Sequence, residues 1–242
     1  MGKELKVIGF AAAVCVVCSL VLSGVHSSLK PRQEANKAND LKKKVLQAFG
    51  VEVVDKKGKP LMTTEEIAAL FESQVEGRVL DKDGKLVDDR SVESLSKEEI
   101  NDRDKEHKRK AYYPYYVYTD SETGQKRYAV HLSGMGLWSI VKAYMALEDD
   151  YGTIAGIAFY EHGETPGLGG DVDKPAFQDQ WKQKKMTKDG KPTYFRVLKP
   201  GEQGDESSVH GPSGATMTSK GITKFVNSDF AVYYAHFQEL NN

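Results

Sequence analysis

A run of 19 residues without a charged side chain, positions 7–25, constrains the architecture of this chain more than any other feature. As a helix rising about 1.5 Å per residue it spans about 28 Å, close to the roughly 30 Å of a bilayer's hydrocarbon core. A cleaved signal peptide usually has a shorter apolar segment and a small-residue exit, whereas the exit here, Ser-Gly-Val-His at 23–26, is a poor cleavage site. The sequence therefore favours a retained N-terminal membrane anchor over residues 1–28.

The two cysteines of the chain, Cys15 and Cys18, both lie inside this run. A lipoprotein cleavage site at either cysteine is disfavoured, because valine precedes each of them where a small residue is needed. A Cys-x-x-Cys spacing marks redox or metal sites in soluble domains, but in a membrane helix we interpret these side chains as small apolar groups. The remaining residues, 29–242, contain no cysteine, so they form neither a disulfide nor a thiolate metal site.

The charge of the chain excludes one class of partner and leaves the membrane orientation open. Lys and Arg number 34, and Asp and Glu number 35, so no excess of positive charge predicts nucleic-acid binding. Basic residues lie on both sides of the apolar run, and the positive-inside rule weakens for long domains. Charge alone therefore does not assign the side of the membrane that holds residues 29–242.

The pattern after the anchor predicts one α+β domain over 29–242, with a mainly antiparallel sheet flanked by helices. Aromatic and β-branched residues predict strands at 112–118, 128–132 and 154–160. Apolar spacing predicts helices at 139–147 and 176–185 and a C-terminal helix after 219 that packs on the sheet. The segment 91–110 is dense in charge of both signs, which predicts a solvated helix or a mobile surface excursion with His107 as a surface residue.

Small residues and hydroxyls fill positions 213–219, Ser-Gly-Ala-Thr-Met-Thr-Ser, just before the C-terminal helix. Glycine tolerates a positive φ, so Gly214 allows a tight turn into a helix that begins near Thr216. Such a helix start favours an anion, because its first N–H groups lack helical acceptors and the helix dipole is positive there. Ser and Thr also favour the N-cap for purely structural reasons, and the motif alone does not separate the two interpretations.

A glycine-rich loop at 161–170, Glu-His-Gly-Glu-Thr-Pro-Gly-Leu-Gly-Gly, follows the predicted strand at 154–160. Its glycines and proline prevent a regular element and indicate close approach of the backbone to a flat or anionic group. His162 and Glu164 are too few to define a metal site or an acid–base pair. We predict no catalytic residues and no metal ligands.

Four stretches in this order resemble one family, the C subunits of the bacterial Na⁺-translocating NADH:quinone reductases. The first is the apolar run followed by Leu-Lys-Pro-Arg-Gln-Glu-Ala-Asn-Lys at 29–37, and the second is Gly-Met-Gly-Leu-Trp at 134–138. The third is Tyr160 with the loop at 161–170, and the fourth is the motif at 213–219. The resemblance covers nearly the whole chain, and the last two stretches together are specific.

The resemblance implies FMN joined by a phosphoester bond to Thr216 and installed from FAD by a separate Mg²⁺-dependent flavin transferase. It implies a single-pass protein of the inner membrane with residues 29–242 on the periplasmic side. The partners would be membrane lipid and the other members of a complex of six subunits that oxidises NADH, reduces ubiquinone and transports Na⁺. The chain itself would carry electrons and have no independent catalytic activity.

The expected flavin contacts lie in three of the four stretches. Besides Thr216 they are Ser213, Gly214, Ala215 and Thr218 near the phosphate, and Thr165, Gly167, Leu168, Gly169, Leu137 and Trp138 near the ring. We also expect the Thr218 hydroxyl to donate a hydrogen bond to the phosphate. The family motif usually has an aspartate three residues before its serine, and His210 occupies that position here.

The sequence leaves two alternatives open. The electron-transport G subunit of the related Rnf complex shares the flavin motif but resembles this chain less in its early segments. A membrane-anchored assembly module without bound flavin would keep the 213–219 motif as a purely structural turn, and His210 is the feature that favours this second alternative.

Overall fold

The computed structural model describes residues 2–55, 59–101, 103 and 108–240, and the predicted surface residue His107 lies outside them. The chain divides into two compact units, Met1–Leu41 and Lys42–Asn242. The α-helices are α1 Gly2–Ala48, α2 Thr64–Gln74, α3 Lys97–Asn101, α4 Pro175–Gln178 and α5 Thr216–Leu240. The main strands are β1 Val75–Asp81, β2 Tyr112–Thr119, β3 Lys126–Met135, β4 Ile140–Leu147 and β5 Ile154–Glu161. Shorter elements are β6 Thr187–Lys188, β7 Lys191–Pro192, β8 Arg196–Leu198, β9 Ser208–His210 and 3-10 turns at Val92–Ser94, Gly169–Asp173 and Asp179–Trp181.

The first unit is the N-terminal part of α1. An 18-residue window of this helix has a mean hydropathy of 2.5, and none of the window is buried. The helix is long and apolar enough to cross a membrane, as predicted for the anchor. Helix α1 ends at Ala48, followed by Gly50 with a φ of +87°. The N–H of Gly50 donates to the carbonyl of Gln47, and the N–H of Val51 to that of Leu46, a left-handed glycine ending.

The second unit contains a five-stranded sheet in the order β1-β2-β3-β4-β5, with every neighbouring pair antiparallel. Helix α5 packs on one face of this sheet, where its apolar stripe meets alternate residues of the central strands. The buried residues of this layer include Val130, Leu132, Val141, Ala143, Met145, Ile222, Phe225, Val226 and Phe230. The predicted α+β class, with a mainly antiparallel sheet and flanking helices, is confirmed.

Two glycines bring β3 and α5 unusually close together. A Cβ on Gly134 would lie 2.4 Å from Cβ of Phe225, and a Cβ on Gly221 would lie 2.3 Å from the carbonyl oxygen of Met135. Neither position has room for a side chain, so the end of β3 rests directly on the early turns of α5. This contact places the residues that follow β3 beside the start of α5.

The helix predicted at 139–147 is wrong, because these residues form β4. Val141, Ala143, Met145 and Leu147 face the α5 layer, while Lys142, Tyr144 and Ala146 on the opposite face are also buried. A strand buried on both faces shows no alternation of apolar and polar residues, so a short apolar run does not distinguish it from a helix.

The helix predicted at 176–185 is also shorter than expected. Helix α4 ends at Gln178 and a 3-10 turn ends at Trp181, and Gln183 has a φ of +62° that is incompatible with a continuing helix. Trp181 is fully buried and stacks on Phe195 at a centroid distance of 4.7 Å. Burial of this indole fixes the path of the chain in place of helical hydrogen bonds.

The segment 91–110 is largely exposed over its described residues, as predicted, but its end is not solvated. Lys110 is buried, and its ammonium donates to Oδ2 of Asp229 on α5 at 2.7 Å. Arg103 donates to Oδ1 at 2.7 Å, and the N–H of Ser133 donates to Oδ2 at 3.0 Å. Burial lowers the pKa of Lys110 to about 8, while the charge of Asp229 opposes this shift. The Asp229 carboxylate therefore fixes the end of the charged segment to α5 and β3.

Replacing Asp229 with alanine should destabilise the domain by about 3–5 kcal/mol, because it leaves the buried Lys110 ammonium without a counter-charge. Chemical unfolding of the full chain in detergent, followed by circular dichroism, measures the change. The matched control is Arg196→Ala, which removes an exposed pair with Asp205 and should cost less than about 1 kcal/mol. Equal effects of the two substitutions would contradict the structural role of Asp229.

Candidate functional site

The motif at 213–219 forms a tight turn and the first turn of α5. Gly214 has a φ of +72°, and α5 begins at Thr216. The N–H of Ser219 donates to the carbonyl of Ala215 at 2.8 Å, so the N–H groups of residues 216–218 precede the helical hydrogen-bond ladder. Thr216 is half-buried and Ser213 is exposed. The predicted turn and helix start are both confirmed.

The glycine-rich loop contacts this turn through Leu168. A Cβ on Gly214 would lie 2.6 Å from Cδ2 of Leu168, so the two segments are in van der Waals contact. The carbonyl of Thr165 accepts hydrogen bonds from the N–H groups of Leu168 and Gly170 at 3.2 and 2.9 Å. Gly167, with a φ of +78°, allows the turn between them. The loop therefore presents Leu168 at a fixed place beside the motif.

The centre of the site is the carboxylate of Glu164, which is only 5% exposed. Its Oε1 accepts hydrogen bonds from the N–H groups of Trp138 and Ser139 at 2.9 and 3.0 Å and from the Ser139 hydroxyl at 3.1 Å. Its Oε2 accepts from the N–H of Leu137 at 3.1 Å and from the Thr218 hydroxyl at 2.6 Å. We call these five hydrogen bonds the Glu164 clasp. The clasp joins the glycine-rich loop, the turn after β3 and the first turn of α5.

Two glycines leave the space that the clasp requires. A Cβ on Gly136 would lie 2.8 Å from Oε1 of Glu164, and a Cβ on Gly169 would lie 2.4 Å from Oγ1 of Thr218 and 3.0 Å from Oε2 of Glu164. The sequence predicted that these glycines allow close approach to a flat or anionic group. For Gly136 and Gly169 the structure identifies that group as a carboxylate of the chain itself.

The hydrogen bonds of the clasp favour the ionised form of Glu164. Burial raises the pKa of the carboxyl, but the Thr218 hydroxyl and the N–H groups of Trp138, Leu137 and Ser139 outweigh burial, and the pKa lies below its ordinary value. A folded-state pKa below the unfolded value stabilises the fold above the unfolded pKa. This stabilisation is lost as the pH falls through the folded value.

Apolar side chains surround the start of α5 on the solvent side. Leu137 is 42% exposed, Trp138 70%, Leu168 44% and Met217 54%. These four large side chains lie on the segments that the clasp holds together, whereas a soluble surface normally buries or scatters such groups. They form an exposed apolar surface, defined by these four residues, next to Thr216.

The structure thus brings together the predicted residues on all three segments, but it assigns a different partner to Thr218. Thr218 is buried, and its single hydroxyl proton is donated to Glu164. The expectation that this hydroxyl donates to a phosphate therefore does not fit this arrangement. Sequence reasoning also missed Glu164 and Met217 as parts of the site. A carboxylate between glycines, with Ser or Thr donors on neighbouring segments, was the available signal for Glu164.

His210 lies in β9 and is held by its own contacts. Its N–H donates to Oε1 of Gln180 at 2.9 Å, and its carbonyl accepts from Nε2 of the same side chain at 3.1 Å. Its ring Nε2 donates to the carbonyl of Glu202 at 2.9 Å. The imidazole therefore packs on the loop before β9, and its ring nitrogen is committed to the backbone.

Comparisons with known proteins agree on this region. A family model described as an FMN-binding domain matches residues 136–229. The C subunit of the Na⁺-translocating NADH-quinone reductase from Vibrio alginolyticus is 31% identical over 234 residues, covering 90% of this chain and 86% of that protein. The crystal structure of NqrC from Shewanella oneidensis aligns with a TM-score of 0.69 at 30% identity, covering 85% of this chain and 98% of that chain. The corresponding protein from Parabacteroides distasonis aligns with a TM-score of 0.67 at 27% identity, covering 86% and 96%.

Replacing Gly169 with alanine should destabilise the domain by about 1–3 kcal/mol, because the added methyl group overlaps the Thr218 hydroxyl. Thermal and chemical unfolding of the full chain measure the effect. Thr165→Ala, at an exposed position in the same loop, is the control and should change stability by less than about 0.5 kcal/mol. An unchanged stability of Gly169→Ala would show that the clasp leaves more room than the structure indicates.

Proposed function

The chain belongs to the family formed by the C subunits of the Na⁺-translocating NADH-quinone reductases, and from this we propose that it holds FMN covalently on Thr216 and passes electrons toward quinone. The FMN-binding model that matches 136–229 includes both Thr216 and the Glu164 clasp. The single observation that carries the proposal is the position of Thr216. Its half-buried hydroxyl lies at a helix start beside the exposed apolar surface.

The start of α5 suits the phosphate of FMN. The N–H groups of residues 216–218 lack helical acceptors, and the positive end of the helix dipole favours the one negative charge that a phosphodiester retains. Ser213, Gly214 and Ala215 form the turn around this position. Thr218 contributes indirectly in this proposal, because its hydroxyl bond to Glu164 orients the first turn of the helix.

The exposed apolar surface suits the flat ring of the flavin. Leu168 lies against Gly214 on one side of the motif, and Leu137 and Trp138 lie on the turn that the clasp fixes. Thr165, Gly167 and Gly169 belong to the loop that carries Leu168. The flavin supplies the redox chemistry when bound, and these residues supply binding and orientation.

The remaining parts of the proposal concern assembly. A Mg²⁺-dependent flavin transferase would use FAD, with the Thr216 oxygen forming the new bond to phosphorus, AMP leaving and the hydroxyl proton released to solvent. Helix α1 would anchor the chain in the inner membrane, with residues 29–242 in the periplasm. Membrane lipid and the other members of a complex of six subunits would be its partners, and the complex would supply the NADH oxidation and Na⁺ transport.

Co-expression of the full chain with a flavin transferase should add the mass of one FMN, less one water, to the purified protein. Thr216→Ala should abolish the addition because it removes the only oxygen that forms the ester. Intact-protein mass spectrometry measures the adduct. The control Ser213→Ala removes a neighbouring hydroxyl and should retain the adduct. Flavin on Thr216→Ala, or none on the wild-type chain with any transferase, would refute the proposed attachment.

Fusion of alkaline phosphatase after residue 240 should give an active enzyme in a bacterial host, because the reporter folds only in the periplasm and long domains translocate largely regardless of their charge. The matched fusion of green fluorescent protein at the same position should not fluoresce. The opposite pair of results would place the domain in the cytoplasm and contradict the proposed orientation.

A further inference from the structure

The Glu164 carboxylate is almost completely enclosed, so it is not part of the surface that meets a ligand. All of its hydrogen bonds go to two segments that do reach that surface, the turn at 137–139 and the first turn of α5. A group in this position acts on a bound ligand through the segments that it holds.

The bond to Thr218 fixes how α5 is rotated about its axis. Successive residues of an α-helix differ by about 100°, so Thr216 and Thr218 point about 200° apart. Because Thr218 is buried and bonded to Glu164, Thr216 is turned away from the interior and toward solvent. The direction of the Thr216 hydroxyl is therefore set by a contact two residues away.

The bonds to the turn fix the opposite wall. Three consecutive N–H groups, those of Leu137, Trp138 and Ser139, point at one carboxylate. This arrangement turns the backbone inward and leaves the Leu137 and Trp138 side chains exposed. Without the carboxylate, three buried N–H groups would lose their acceptor, and the turn would have to open toward water.

We propose that Glu164 is the positioning residue of the flavin site, holding the Leu137–Trp138 wall at a fixed place relative to Thr216 through the clasp. This inference rests on the proposed function, because it assumes that flavin is attached to Thr216. It assigns a role to a residue that makes no contact with the flavin itself. Loss of the clasp would leave the attachment bond intact but would free the ring to move.

The charge of the carboxylate has a second consequence. A fixed negative charge beside the flavin disfavours the added electron density of reduction, and it does so more strongly in a buried setting than in water. The neutral variant Glu164→Gln should therefore raise the reduction potential of the attached flavin. A tenfold change in the two-electron equilibrium corresponds to about 30 mV.

The test uses the full chain in detergent, co-expressed with a flavin transferase, and three substitutions in the clasp. Glu164→Gln removes the charge and presents an amide N–H₂ to the Leu137 N–H. Thr218→Val keeps the charge but removes the bond to α5, and Thr218→Ser keeps both. Asp173→Asn is the charge control, because it neutralises a half-exposed carboxylate at the end of the same loop.

Three measurements separate the possible outcomes. Hydrogen exchange of the flavin-free chain should speed up about tenfold or more at 137–139 in Glu164→Gln. Fluorescence anisotropy of attached flavin should fall in Glu164→Gln and Thr218→Val and remain at the wild-type value in Thr218→Ser and Asp173→Asn. The reduction potential should rise in Glu164→Gln and remain unchanged in Asp173→Asn.

Wild-type anisotropy and potential in Glu164→Gln, with flavin attached, would overturn the inference and leave the proposed function intact. A fall in anisotropy in Thr218→Ser equal to that in Thr218→Val would also overturn it, because the hydroxyl would then have no role. Absence of flavin from the wild-type chain would refute the proposed function and the positioning role together. In that case the exchange measurement would still report whether the clasp forms.

Discussion

The buried carboxylate of Glu164 connects three segments that lie far apart in the sequence. Its donors are 25 to 27 residues away in the turn after β3 and 54 residues away on α5. A buried ionised group is unfavourable unless hydrogen bonds replace its hydration, and here five donors do so. The cost of leaving any of these groups without a partner is what holds the site in one arrangement.

The fold supplies the platform on which this carboxylate acts. Gly134 and Gly221 let β3 and α5 touch, so the turn after β3 already lies near the start of α5 before the clasp is considered. Asp229 fixes α5 a second time, farther along the helix, through Lys110 and Arg103. With two such contacts on one helix, the start of α5 and the surface beside it are held relative to the sheet. This rigidity suits a residue that must carry a cofactor in a defined orientation.

The sequence predicted the apolar helix, the α+β class, the strands with aromatic runs and the start of α5, because each depends on local pattern. It failed at 139–147, where a strand buried on both faces has no period to distinguish it from a helix. It also placed the three segments of the site together only through a resemblance to a family. The partners of Glu164 and Asp229 could not be predicted from pattern, because these bonds depend on which segments the sheet brings into contact. Thr218 illustrates the point, since only the structure shows that its hydroxyl is bound to a carboxylate.

The most direct test of the Glu164 clasp is the titration of its carboxyl carbon by NMR in the full chain held in detergent micelles. Five donors to an ionised carboxylate must lower its pKa. The predicted result is a pKa for Glu164 below the ordinary value of 4.5, with a shift toward 4.5 in Thr218→Val. A pKa at or above 4.5 in the wild-type chain would contradict the account, because the carboxylate would then lack the hydrogen bonds on which the site depends.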